Sequence, residues 1–90
     1  MIHILNQSPN MSQQLSQCLQ VAQKADILVL VGDGVISACL PHLQHELSEF
    51  NVQILTSDVN NRGITPLIGQ LIKEIDLVDL IVKHGNPITW

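Results

Sequence analysis

Thiols, imidazoles and a glycine-rich turn are the groups in this chain whose chemistry could reach beyond packing. Cys18 and Cys39 are the two cysteines, and they form neither a CxxC pair nor a zinc-finger spacing. A reactive thiol needs a pKa depressed by a helix N-terminus or a neighbouring cation. Cys18 falls in the middle of a helical pattern, and the nearest cation along the sequence is Lys24. Its plain reading is therefore a small apolar core residue. Cys39, just before Leu40-Pro41, is no better placed. His42, His45, Glu46 and Glu49 recur at i, i+3, i+4 and i+7 along one side of a helix. That spacing suits a metal only if another element supplies further ligands, and it suits a solvated face of His–Glu pairs without any. The turn "VGDGV", Val31 to Val35, places glycines between a strand and a helix, where an anion can be cradled. It lacks both GxGxxG and GxxxxGK[ST], and Asp33 puts a negative charge where a phosphate would sit. A tight turn that needs the dihedral freedom of Gly32 or Gly34 is the preferred reading. His3 reads as a hydrogen-bonded core histidine within a strand. His84 closes a helix, where the dipole favours a cation. Neither has a nucleophile beside it in sequence.

The elements that must carry these residues are legible as apolar runs separated by helical stripes. "IHIL" (2–5), "ILVLV" (27–31) and "VQIL" (52–55) are continuous apolar runs, the pattern of strands covered on both faces. "LIKEI" (71–75) alternates and predicts a more peripheral strand, and "PITW" a short edge strand. Ser8 with Pro9, or Asn10 with Gln13, offers a start for the first helix. Its apolar stripe is Met11, Leu15, Cys18, Leu19 and Ala22, against a Gln-rich opposite face. Pro41 divides "ISACLPHLQHELSEF" into a short helical turn and a second helix that buries Leu43, Leu47 and Phe50. "TSDVNNRG" predicts a brief helix capped by Thr56 or Ser57 and stopped by Gly63 in the left-handed region. A last helix is predicted from Asp76 to Gly85, with Leu77, Leu80, Ile81 and His84 on one side. The resulting order predicts a small α/β sandwich, one domain over residues 1–90, with a mainly parallel sheet.

Composition narrows the function classes. The chain is 46% apolar and 13% charged, against roughly 25% charged residues in ordinary soluble domains. Part of such a thinly charged surface is expected to meet other subunits. The net charge is −4 and the aromatics are Phe50 and Trp90 alone, which excludes a basic grip on nucleic acid and a base-stacking platform. No signal peptide or membrane span is legible, so the cytoplasm, with free thiols, is the expected setting. Trp90 is the single tryptophan, and the largest apolar side chain needs either the chain's own core or a neighbour's surface.

Four stretches taken in order resemble the TusB/DsrH family of sulfur-relay subunits. They are "IHILNQSP" at the start, "LVLVGDGV" in the centre, "SDVNNRG" later and "DLIVKHGNPITW" at the end. The family's L-H-x-L-x-x-S-P start corresponds to Ile2-His3-Ile4-Leu5 with Ser8-Pro9. Its D-G-V/I turn corresponds to Asp33-Gly34-Val35, and its A-R-G-like turn to Asn61-Arg62-Gly63. Its V-K-H ending before a terminal tryptophan corresponds to Val82-Lys83-His84 with Trp90. Ile2 and Asn61 depart from the commoner Leu and Ala, and the stretch from Gly63 to Asp76 is shorter than in some relatives. Each piece alone is weak; together they span nearly the whole chain.

The resemblance implies a DsrE/F/H-type fold and a cytoplasmic heteromer with related DsrE/TusD-type and DsrF/TusC-type subunits. In such complexes sulfur moves as a cysteine persulfide, toward 2-thiouridine at the tRNA wobble position in one branch and in dissimilatory sulfur oxidation in the other. The principal sulfur-accepting cysteine belongs to the DsrE/TusD-type subunit. The present chain is therefore expected to be an accessory subunit without cofactor or metal, with Trp90 and Ile88 at a subunit interface. Some relatives carry a cysteine in the first helix, and "SQCL" puts Cys18 at the matching place. Hence the alternative expectation is that Cys18 is itself a persulfide site. A third, weaker expectation is an anion-binding module built on "VGDGV".

Overall fold

The computed structural model describes the chain from Met1 to Trp90. Five strands form one sheet: β1 (Ile2–Leu5), β2 (Ile27–Leu30), β3 (Asn51–Leu55), β4 (Gln70–Ile72) and β5 (Ile88–Thr89). Their order across the sheet is β4-β3-β2-β1-β5, and every pairing is parallel. The helices are α1 (Gln14–Val21), α2 (Pro41–Leu47), α3 (Thr56–Arg62) and α4 (Glu74–His84), with a 3-10 helix, Gly32–Cys39, between β2 and α2. The α/β fold with a parallel sheet is as the sequence predicts.

Side chains alternate across the strands, and this alternation creates two cores. Leu5, Leu28, Leu30, Val52 and Ile54 point to the face covered by α1, the 3-10 helix, α2 and α3, where they meet Leu15, Cys18, Val35, Leu47 and Val59. Ile2, Ile27, Val29 and Ile72 point to the other face, where α4 alone supplies Leu77, Leu80 and Ile81. All four residues of β2 are buried, as a central strand covered on both sides must be.

Several boundaries differ from the sequence expectation, each for a local reason. Helix α1 begins at Gln14, not at Ser8 or Asn10. The Ser8 hydroxyl and carbonyl instead accept from the N–H groups of Asn10 and Met11, which folds this stretch into turns and leaves Met11 86% exposed, off the apolar stripe. "LIKEI" is divided: Gln70–Ile72 pairs with β3, and α4 starts at Glu74. The Asp76 carboxylate reaches back to the Lys73 N–H at 2.9 Å, so Asp76 occupies the third helical position, not the first. The division at Pro41 and the left-handed Gly63 (φ 62°) are as predicted, although α3 has no side-chain cap: Thr56 donates to the Ile72 carbonyl.

Gly34 explains why "VGDGV" is so sparing of side chains. A Cβ on Gly34 would lie 2.1 Å from the Leu5 carbonyl oxygen, inside β1's backbone. The 3-10 helix therefore lies directly on the carboxyl end of β1, and only glycine allows the approach. Gly34→Ala is expected to lower the unfolding free energy by roughly 3 kcal/mol, since rigid backbone must move. Urea denaturation monitored by circular dichroism checks this; an unchanged midpoint would contradict the close contact.

Candidate functional site

Three groups of polar residues link the elements, and each turns a chemistry-bearing residue toward a particular task. The first centres on His3. This imidazole is 2% exposed on β1, on the α1 side of the sheet. Its Nε2 lies 2.9 Å from Asp26 Oδ2, and its Nδ1 lies 3.1 Å from the Trp90 indole nitrogen. An indole N–H can only donate, so Nδ1 is the acceptor and Nε2 carries the proton that is shared with Asp26. The Trp90 ring stands tilted over His3, 6.1 Å between centroids, and also packs against the larger core. Asp26 additionally accepts from the Gln23 N–H and the Met1 amino group. These contacts, the Gln23 bond first and the His3 bond next, pull its carboxyl down from 3.8 to about 2.

Gln14 forms the second group. The sequence placed the glutamines of α1 on the solvent face, but Gln14 is 6% exposed. Its carbonyl oxygen accepts from the N–H groups of Asn6 and Gln7, at 3.0 and 3.1 Å, just past the end of β1. Its amide donates to the Asn6 side chain and to the main-chain oxygen of Trp90. The crevice between the ends of β1 and β5 is thus filled by a side chain of the protein itself.

The third group joins two motifs that are far apart in sequence. Gly32 N–H donates to the Asp58 carboxylate at 2.8 Å, and Arg62 donates twice to Asp33 Oδ1, at 2.8 and 3.1 Å. Asp33-Gly34 and Asn61-Arg62-Gly63 are therefore the two sides of one contact between the carboxyl ends of β2 and β3. Asp33, 61% exposed, answers a cation of its own chain.

The remaining candidates are scattered. Cys18 has no exposed surface, and burial, reinforced by the negative charge of Asp26, pushes its thiol up to about 11. Cys39 is half-buried; its thiol is also raised by burial and donates to the Val35 carbonyl at 3.7 Å. His42, His45, Glu46 and Glu49 are all exposed on or just beyond α2, and no three His, Cys, Asp or Glu side chains of the chain converge into a ligand set. Ile88, on the edge strand β5, is 42% exposed. No helix is long and apolar enough to cross a membrane.

Residues 7–86 match the model of a family described as DsrH like protein. The chain belongs to the DsrH family. Curated relatives named Protein TusB align with the whole chain and over their own full length. Those of Pectobacterium parmentieri and Pectobacterium carotovorum subsp. carotovorum (strain PC1) are 33% and 35% identical over 96 aligned positions. The matched DsrH region includes Gln14, Cys18, Asp33 and Arg62. His3 and Trp90 fall outside it, within the full-length TusB alignments. The sequence pointed to His3, Asp33 and Trp90 as single residues. It missed Asp26 and Gln14, because an acid before a strand and one glutamine among many carry no local signal of burial.

Two outcomes are expected for this DsrH-family chain. Asp26 has a folded pKa below its unfolded value, so its contribution to stability is complete above pH 3.8 and is lost as pH falls toward about 2. In the Asp26→Asn variant that part of the acid-unfolding slope disappears, which urea midpoints measured between about pH 5 and about pH 2 will show. Cys18 is expected to resist iodoacetamide in the folded chain at neutral pH and to react on unfolding. Peptide mass spectrometry of the alkylated chain reads this directly, and rapid native labelling would contradict its burial.

Proposed function

We propose that this chain is an accessory, non-catalytic subunit of a cytoplasmic sulfurtransferase complex of the persulfide-relay type. The observation that carries the proposal is the state of Cys18. The cysteine at the family-matched place in α1 is fully buried, with its thiol raised to about 11. Sulfur transfer by exchange needs an accessible thiolate. A relay that includes this chain is therefore best served by a persulfide cysteine on another subunit. We assign that cysteine to a DsrE/TusD-type partner, with a DsrF/TusC-type partner completing the complex, and the end product to 2-thiouridine at the tRNA wobble position. The acidic balance, 8 Asp+Glu against 4 Lys+Arg, argues that contact with tRNA falls to other chains.

The supporting role is structural. Trp90 is half-buried and hydrogen-bonded to His3, and its main chain is anchored by Gln14 and by the Ile4 carbonyl. The tail thus has an internal seat that fixes its outer surface, with Ile88 exposed beside it on the sheet edge. A rigid edge with apolar exposure is suited to a subunit interface, and we place one there.

The test is a gentle affinity purification of the tagged chain from its own cells, followed by intact mass spectrometry without reductant. The expected result is two small sister subunits, with added sulfur on a cysteine of one of them. Added sulfur on Cys18 would overturn the accessory role and put this chain within the relay. Ile88→Asp is expected to weaken recovery of the sister subunits while leaving the thermal melting of the isolated chain unchanged.

A further inference from the structure

Imidazole is the side chain that ordinarily titrates between about pH 5 and about pH 8, and this chain buries one, His3. Its Nε2–H faces Asp26 at 2.9 Å, while its Nδ1 accepts from the Trp90 indole N–H at 3.1 Å. A second proton on the ring goes to Nδ1, because Nε2 already carries one. Nδ1–H then points at the indole N–H, and two donors meet with no acceptor between them. The indole offers no compensation through its π-electrons. Its N–H edge, the positive side of the ring, is the part turned to His3, with 6.1 Å between centroids.

The groups around the imidazole fix the sign of the effect. The segment before β2 contributes Asp26, whose carboxyl is held at about 2 and stays ionised throughout. The residue ahead of β1 contributes the Met1 amino group, bonded to the same carboxylate. Helix α1 contributes Cys18, neutral with its thiol at about 11. Strands β2 and β5 set Leu28 and Ile88 in register with His3 and bring no charge. Asp26 favours the imidazolium and the Met1 ammonium opposes it, whether Trp90 is seated or not. Trp90 is what differs: when seated it donates to Nδ1 and shields the ring from water, and both favour the neutral form. A cavity of about 360 Å³, bounded by Met1, Val21, Gln23, Asp26 and Ile88, opens on His3 and brings water to it.

We propose that His3 is a pH-operated latch on the tail: the neutral imidazole holds Trp90 in its seat, and protonation at Nδ1 releases it. The tail is built to move. Gly85, with φ 88° and nothing within 4 Å of a Cβ placed on it, gives an unobstructed pivot after α4. Strand β5 is two residues long, and both are exposed. Beyond its short ladder with β1, the tail is held by the Trp90 N–H on the Ile4 carbonyl, the Gln14 amide on the Trp90 main-chain oxygen, and the indole on His3. With so few bonds, turning one of them into a clash of donors decides the balance. The seated state binds one proton fewer, so seating is complete above the imidazole range and weakens as pH falls through it. Leaving the indole donor unsatisfied shifts the seating equilibrium by about 30-fold. The latch belongs to the chain itself; its effect on assembly rests on the interface placed at Ile88 above.

The experiment follows the full chain by nuclear magnetic resonance from about pH 8 to about pH 5. Its single tryptophan gives one indole N–H signal, and the His3 ring protons report the charge on the imidazole. The indole signal is expected to move from a hydrogen-bonded to a free position, and the tryptophan emission maximum to shift to the red. Both changes are expected to track His3 protonation, with circular dichroism unchanged. His3→Asn keeps an acceptor for the indole but takes up no proton in this range, and is expected to hold both readings constant. A Trp90 that stays seated while His3 becomes charged overturns the latch, as does a His3 still neutral at about pH 5. Release that coincides with global unfolding, or that persists in folded His3→Asn, overturns it too; should that variant not fold, the parent's curves decide. Co-expressed with its DsrE-type and DsrF-type sisters, the chain is expected to sediment in a smaller assembly below the transition. Assembly that survives tail release overturns the interface at Ile88 and leaves the latch standing. A chain that binds neither sister at any pH overturns the proposed function, again without touching the latch.

Discussion

The handedness of the crossovers between parallel strands governs the distribution of everything else in this molecule. Parallel strands joined through a helix connect in the right-handed sense almost without exception. From β1 through β2 and β3 to β4 the chain steps in one direction across the sheet, so those three connections fall on one face. The last connection, from β4 back to β5, reverses direction and must lie on the other. One face thus gathers α1, the 3-10 helix, α2 and α3, while the other receives only α4. The large core, the small core and the unequal exposure of apolar side chains all follow from that reversal.

Within this frame the polar side chains act mainly as fasteners. His3 joins the segment before β2 to the residue after β5; Gln14 closes the gap between the ends of β1 and β5; Asp58 and Arg62 bind the turn after β2 to α3. In each case both hydrogen-bonding ends of the group are engaged within the chain, which leaves little capacity for a substrate. Cys18 completes the pattern, since burial first and the negative charge of Asp26 second disfavour its thiolate. Such an arrangement rigidifies the fold.

How much of this the sequence revealed depends on whether the deciding interaction was local. The strands were legible because short apolar runs have one economical use, and Gly63 and Pro41 were legible because their backbone preferences act within a few residues. The start of α1 was not, since it depends on the Gln14 side chain reaching residues 6 and 7, and a glutamine there looks like any solvent-facing one. The start of α4 was misplaced by two residues because Asp76 caps from inside the helix. For the site, the sequence singled out His3, Trp90 and the two glycine-bearing turns, yet gave no sign that they are partners. Asp26 lies 23 residues from His3, and Trp90 lies 87. Contacts of that reach are a property of the topology, not of any window of sequence.

The pairing of β1 with β5 also sets an order of events. Residues 3 and 4 emerge long before residues 88 and 89 during synthesis, yet the edge of β1 opposite β2 finds its partners only when the latter arrive. Until then a strand in the interior of the finished sheet has an open edge, the kind of surface that recruits other chains. Closing it joins segments separated by almost the entire chain, which ranks among the slow steps of folding. Residues 88 and 89 thus close the sheet: a nascent chain that has not yet made them leaves one edge of β1 unpaired.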